Sequence, residues 1–188
     1  MPFSQSSQLS TIVGFGEALQ PTSILDVGTG MGQYGFLFRN NLESVGLFDV
    51  QGARGVQRPR EQWRVRIDGI EGFAEYLTPV HAYAYTQVWV GDAIERLSSL
   101  PDRAYELVIA VDILEHFEHA QGELLLQQCA RVCSRAALVS TPKEFIAQQV
   151  QANPLEDHRS LWTQQQLAAA GYTTTLANAE SWVAVLKK

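Results

Sequence analysis

Ile24-Leu25-Asp26-Val27-Gly28-Thr29-Gly30-Met31-Gly32 is a short apolar run ending in an acid and three alternate glycines, and an amphipathic stretch begins at Gln33. A buried strand that turns tightly into a helix has this pattern. Such a turn is expected to present backbone N–H groups at the helix start, where a nucleotide could lie. The dinucleotide fingerprint G-x-G-x-x-G needs a glycine at position 33, where the chain has Gln33. Pyrophosphate binding is therefore not the first expectation.

Working outward, strand-like runs occur at Ser23 to Val27, Val65 to Glu71, Gln87 to Val90, Glu106 to Val111 and Ala136 to Ser140. Helical patterns lie between and around them, at Leu9 to Leu19, Gln33 to Leu42, Phe73 to Leu77, Ala93 to Leu100, Gly122 to Val132 and Thr163 to Ala170. Alternation of this kind builds a parallel sheet covered on both faces. The chain closes with Thr173 to Ala177 and Trp182 to Leu186, separated by Asn178-Ala179-Glu180, a connection short enough for a hairpin. The expected fold is an α/β, Rossmann-like three-layer sandwich, with a seven-stranded mostly parallel sheet and an antiparallel C-terminal hairpin. His81-Ala82-Tyr83-Ala84-Tyr85 alternates like a packed edge strand.

The 188 residues suit one domain, 1–188, with an N-terminal helix within 1–20. A net charge of −6 argues against a generally nucleic-acid-coating surface. No segment reaches the roughly 20 apolar residues of a membrane span. Met1 to Ser10 is polar and Ser/Gln-rich, unlike a secretory leader, so a cytoplasmic location is expected. Cys129 and Cys133, four apart in an apolar-periodic stretch, are expected to share a helical face as small core residues. Two thiols alone complete no structural zinc site.

The glycine-rich turn resembles motif I of the class I S-adenosylmethionine-dependent methyltransferases, and the parallel sheet with its closing hairpin resembles their seven-stranded fold. The resemblance covers nearly the whole chain. It implies that Asp26 orders the loop and that Gly28, Thr29, Gly30 and Gly32 approach the amino-acid and ribose parts of S-adenosylmethionine. In Arg66-Ile67-Asp68-Gly69-Ile70-Glu71 the family expects a strand-ending carboxylate on both ribose hydroxyls. Glu71 fits that place best, and Asp68 is the alternative if the strand ends earlier. Gly91-Asp92-Ala93 resembles the adenine site, with Asp92 accepting from the exocyclic amine and the Ala93 N–H facing the ring. Asp92 is equally well suited to cap the helix that starts at Ala93.

Val111-Asp112-Ile113-Leu114-Glu115-His116-Phe117 resembles the D-x-L-E-H motif IV region of small-molecule methyltransferases, beside the sulfonium and the methyl acceptor. His158-Arg159-Ser160-Leu161-Trp162-Thr163, with Asp157 before it, resembles small-RNA 2′-O-methyltransferases and quinone-precursor O-methyltransferases, in which an E-x-x-E-H loop and a distant His bind one metal. On that likeness Asp112, Glu115, His116 and His158 form a candidate Mg²⁺-like divalent metal site, although Asp112 stands where those enzymes have Glu. In the metal-free reading Glu115 and His116 cap a helix and line the acceptor pocket, with His116 as general base, while His158 packs near Trp162; His116, Glu115 and Asp112 are the catalytic candidates.

Gly46 to Trp63 is longer than an ordinary connection and shows little periodicity; it carries Arg54, Arg58 and Arg60, with Arg64 and Arg66 close behind. This arginine-rich insertion loop, 46–63, is read as a lid, a phosphate-contacting loop, a solvated excursion or an oligomer contact. Neither His81 nor His119 has a partner visible in the sequence. The expected activity is methylation of an oxygen on a small-molecule or sugar-like acceptor, with nucleic acid an unlikely partner. An RNA 2′-O-methyltransferase-like enzyme, an NAD(P)-binding oxidoreductase and a noncatalytic cofactor-binding subunit are the alternatives.

Overall fold

The computed structural model describes residues 6–44 and 46–188, so the first half of the polar N-terminal stretch, 1–5, lies outside the described residues. The elements run α1 (Leu9–Leu19), β1 (Ser23–Val27), α2 (Gln33–Glu43), β2 (Phe48–Gln51), β3 (Arg54–Gln57), β4 (Arg66–Glu71), α3 (Pro79–Ala84), β5 (Gln87–Val90), α4 (Ala93–Ser99), β6 (Tyr105–Val111), α5 (His119–Val132), β7 (Cys133–Pro142), α6 (Gln164–Ala169), β8 (Thr174–Leu176) and β9 (Ser181–Lys187). Seven strands form one sheet in the order β5-β4-β1-β6-β7-β9-β8. β9 runs antiparallel to both β7 and β8, and the other pairings are parallel. The expected α/β sandwich is the observed fold.

Alternation along the central strands separates two apolar layers. Leu107, Ile109 and Val111 of β6 pack with Ile12, Phe38 and Tyr85 on the side of α1, α2 and α3. Val108 and Ala110 pack with Leu97, Leu125, Leu126 and Trp162 on the side of α4, α5 and α6. Asp26 shares the strand face of Ile24 and therefore enters the first layer, where Tyr85 meets it.

Four local expectations are corrected. The 46–63 insertion is not irregular throughout, because β2 and β3 pair as an antiparallel hairpin in the register Phe48 to Gln57. The His81 to Tyr85 stretch belongs to a helix, not an edge strand. Thr78 caps that helix, accepting from the Val80 N–H while its own N–H donates to His81 Nδ1, and Pro79 takes the first turn, where no N–H is needed. Phe73 to Leu77 contains only a single 3-10 turn, Ala74–Tyr76. Cys133 opens β7, so the two buried free thiols do not share a helical face.

Candidate functional site

The strand-ending residues of β1, β4, β5 and β6 surround a cavity of about 300 Å³. Of the residues expected at the site, Gly28, Thr29, Gly30, Glu71, Asp92, Ala93, Asp112 and His116 line it. Asp26, Gly32, Glu115 and His158 stand outside its lining. Parallel sheets of this kind place ligands beyond the carboxyl ends of their strands.

The glycine loop is shaped by close approach. Gly28, Gly30 and Gly32 all have positive φ, at 79°, 53° and 88°. At Gly28 the positive φ favours glycine, and a Cβ there would stand 2.8 Å from Ile113 Cδ1, so Ile113 would have to shift. Four amides of the loop are occupied within the protein. The N–H groups of Gly28 and Thr29 donate to Ile70 O at 2.9 and 3.2 Å, that of Gly30 donates to Glu71 Oε2 at 2.8 Å, and that of Gly32 donates to Thr29 O at 2.9 Å. The first three donors hold the loop against β4 and the fourth closes it on itself, so what they supply is a fixed shape.

Asp26 orders that shape from behind. Its Oδ2 accepts from the Tyr85 hydroxyl at 2.5 Å, and that hydroxyl in turn accepts from the Gly35 N–H at 3.1 Å, at the start of α2. Burial pushes the Asp26 carboxyl up to about 7, against the opposing pull of the Tyr85 hydrogen bond. Glu71 is buried too, and burial raises its carboxyl above the ordinary range despite the donors that surround it. Besides the Gly30 N–H, its oxygens accept from the Phe73 N–H at 2.9 Å and the Thr29 hydroxyl at 3.3 Å. Asp92 caps α4, its Oδ1 accepting from the Glu95 N–H at 2.8 Å, while it also lines the cavity.

The opposite wall is built by long-range stitching. After β6, Leu114–His116 forms a 3-10 turn. The carbonyl of Glu115 accepts from the N–H groups of Arg159 and Ser160 at 2.8 and 3.1 Å, which brings His158 beside His116 with ring centroids 5.0 Å apart. One ligand atom from each of Glu115, His116 and His158 lies within 4.8 Å of the others. Asp112 is not part of that group; its Oδ1 accepts from Ser140 Oγ at 2.8 Å and its Oδ2 from Gln8 Nε2 at 2.5 Å. His116 Nδ1 faces Asp157 O at 3.4 Å and His158 Nδ1 faces Ile146 O at 2.6 Å. If each Nδ1 carries the proton toward its carbonyl, each Nε2 keeps a lone pair for a ligand. Glu115 Oε2 is buried and has no hydrogen-bond partner among the described residues. Burial, reinforced by the charge of Asp112, pushes the Glu115 carboxyl up to about 8.

Sequence reasoning missed Gln8, His81, Tyr76 and Glu156. Gln8 is fully buried against Asp112, 104 residues away. The Tyr76 hydroxyl donates to Glu156 Oε1 at 2.5 Å and ties the 153–157 turn across the cavity. Nothing local in the sequence marks such pairs. The insertion arginines do not line the cavity. Arg58 pairs with Asp49, Arg60 donates to the carbonyls of Ala82 and Tyr85, Arg64 donates to Leu42 O, and Arg66 pairs with Asp68. Arg58, Arg60, Arg64 and Arg66 are thus held by carboxylates and carbonyls away from the cavity.

No protein-family model and no curated protein sequence matches the chain. Solved structures do. An S-adenosylmethionine-dependent methyltransferase from Archaeoglobus fulgidus is 15% identical, with 96% of this chain and 91% of that chain covered and a TM-score of 0.62. The N-terminal domain of EvdMO1, solved with S-adenosylhomocysteine and D-fucose, is 18% identical, with coverages of 97% and 83% and a TM-score of 0.60. Magnesium protoporphyrin IX methyltransferase from Synechocystis PCC 6803, with bound S-adenosylhomocysteine, is 13% identical, with coverages of 94% and 80% and a TM-score of 0.57. Among the described residues no helix is long and apolar enough to cross a membrane. The chain has the fold of the class I S-adenosylmethionine-dependent methyltransferases.

Proposed function

We propose that the protein is an S-adenosylmethionine-dependent methyltransferase acting on an oxygen of a small-molecule or sugar-like acceptor. The observation that carries this reading is the single cavity wall on which Gly28, Glu71 and Asp92 meet, at the carboxyl ends of β1, β4 and β5 in a methyltransferase fold. Glu71 would accept from a ribose hydroxyl with the lone pair left on Oε1, and Asp92 from the adenine amine. The methyl group would then point toward Asp112 and His116 on the facing wall.

The sulfonium is already a strong electrophile, so positioning and exclusion of water can supply much of the acceleration. His116 faces the cavity, and burial together with His158 lowers its pKa, which keeps it neutral and able to accept a hydroxyl proton near pH 7. The residues present also fit a divalent cation: Glu115, His116 and His158 would hold it. Two imidazoles with one carboxylate favour a first-row transition ion over Mg²⁺. Such an ion would lower the pKa of the acceptor hydroxyl.

Calorimetric titration with S-adenosylmethionine, and separately with NAD⁺, tests the cofactor. Saturable binding of the first alone is expected; binding of NAD⁺ alone would overturn the reading in favour of the oxidoreductase. For the metal, titration with Co²⁺ followed by visible absorption should give a saturating band that His158→Ala removes. A spectrum identical to free Co²⁺ in the unmodified protein would remove the ion and leave His116 as the base.

A further inference from the structure

His81 lies on α3, is only 5% exposed, and does not line the cavity, yet both of its ring nitrogens are engaged. The Thr78 N–H donates to Nδ1 at 3.0 Å, which fixes Nδ1 as the acceptor. In the neutral ring the proton therefore sits on Nε2, which faces Thr29 Oγ1 at 3.1 Å. With its oxygen accepting from His81, the Thr29 hydroxyl is free to donate to Glu71 Oε2 at 3.3 Å. The ring is clamped in this orientation by stacking on Tyr85, with centroids 5.3 Å apart and planes 22° apart. Gly32 gives it room, since a Cβ there would stand 3.3 Å from Nε2. Burial lowers the His81 pKa, in keeping with the neutral ring that the chain of donors requires.

We infer that His81 is a positioning residue for ribose recognition: acting through the Thr29 hydroxyl, it holds the Glu71 carboxylate in one orientation and so sets the preference for a nucleoside with free vicinal hydroxyls. This inference rests on the nucleoside reading of the cavity given above. A directed chain of this type matters more in a buried site than on a surface, because each donor polarises the next and no water can substitute for a lost one. The Gly30 N–H and the Thr29 hydroxyl occupy both lone pairs of Oε2 and the Phe73 N–H one of Oε1, so the Thr29 hydroxyl helps to aim the Oε1 lone pair that remains for a ligand.

The test compares S-adenosylhomocysteine with its 2′-deoxy analogue by calorimetry on the whole protein, on Thr29→Val and on His81→Phe. Circular dichroism establishes that each variant is folded. Thr29→Val keeps the side-chain shape, and His81→Phe keeps the ring against Tyr85. The unmodified protein should prefer the ribonucleoside by about tenfold, the discrimination expected of one hydrogen bond to a charged group. Each substitution should cut that ratio by about threefold or more, and the double variant should equal the single ones. If His81→Phe does not fold, Thr29→Val alone carries the test of the relay. Equal weakening of both ligands, or an unchanged ratio in folded variants, would overturn the role of His81 and leave the nucleoside site standing. If the unmodified protein binds neither ligand, the nucleoside reading fails and this inference with it.

Discussion

Asp26, the last residue but one of the buried strand β1, lies on the face of the sheet that also holds Tyr85, and its carboxyl is pushed up to about 7 by that burial. In the unfolded chain it titrates at the ordinary value of 3.8. Between those two values the folded protein holds a proton that the unfolded chain has given up. Its contribution to stability is therefore full below the unfolded value and is lost as the pH climbs through about 7. Urea denaturation at a series of pH values should show the unmodified protein losing stability over this window relative to Asp26→Asn, by roughly 2–4 kcal/mol in total. Parallel curves for the two proteins would show that Asp26 is ionised throughout. At this scale the sequence was informative at and just after strand ends: that Gly28, Glu71 and Asp92 would share a crevice was legible because the chain around them is periodic and a parallel sheet gathers its strand ends on one edge. Gln8 and His81 were not, because their partners Asp112 and Thr29 lie 104 and 52 residues away.

The two elements that the sequence hid fail for different reasons. The hairpin of β2 and β3 has no buried face, with Val50 83% exposed and Phe48 53% exposed, so no apolar period announces it. Helix α3 has only six residues, and the alternation of His81, Tyr83 and Tyr85 outweighed the Thr78-Pro79 start signal. Each element carries a prediction. Deleting the hairpin tip, 51–54, should leave affinity for S-adenosylhomocysteine within about twofold, because that hairpin lines no part of the cavity. A larger loss would mean that it folds over the site. The 3-10 turn at Ala74–Tyr76 is tied to the 153–157 turn by the Tyr76 hydroxyl, and Leu155 Cδ1 packs so closely on Gly72 that a Cβ there would meet it at 2.8 Å. Tyr76→Phe should therefore speed release of S-adenosylhomocysteine by about threefold in stopped-flow displacement, as expected for one hydrogen bond worth roughly 0.6 kcal/mol. An unchanged rate would show that this strap does not gate the nucleoside.

For the whole molecule, the fold was legible because two separate patterns, the alternating βα succession and the closing antiparallel pair, permit few other architectures. The chemistry of the acceptor was not, since a shared sheet serves many reactions and the side chains facing the proposed nucleoside site come from β6, the segment after β7 and the N-terminus together. Those parts meet only in three dimensions: Gln8 on Asp112, Arg159 and Ser160 on the Glu115 carbonyl, Tyr76 on Glu156. The decisive measurement is a crystal structure of the protein grown with S-adenosylhomocysteine. The ligand is expected in the 300 Å³ cavity with its ribose on Glu71, its adenine beside Asp92 and its sulfur toward Asp112 and His116. The nucleoside bound elsewhere, or lying in this cavity with no contact to Glu71 or Asp92, would rule that placement out.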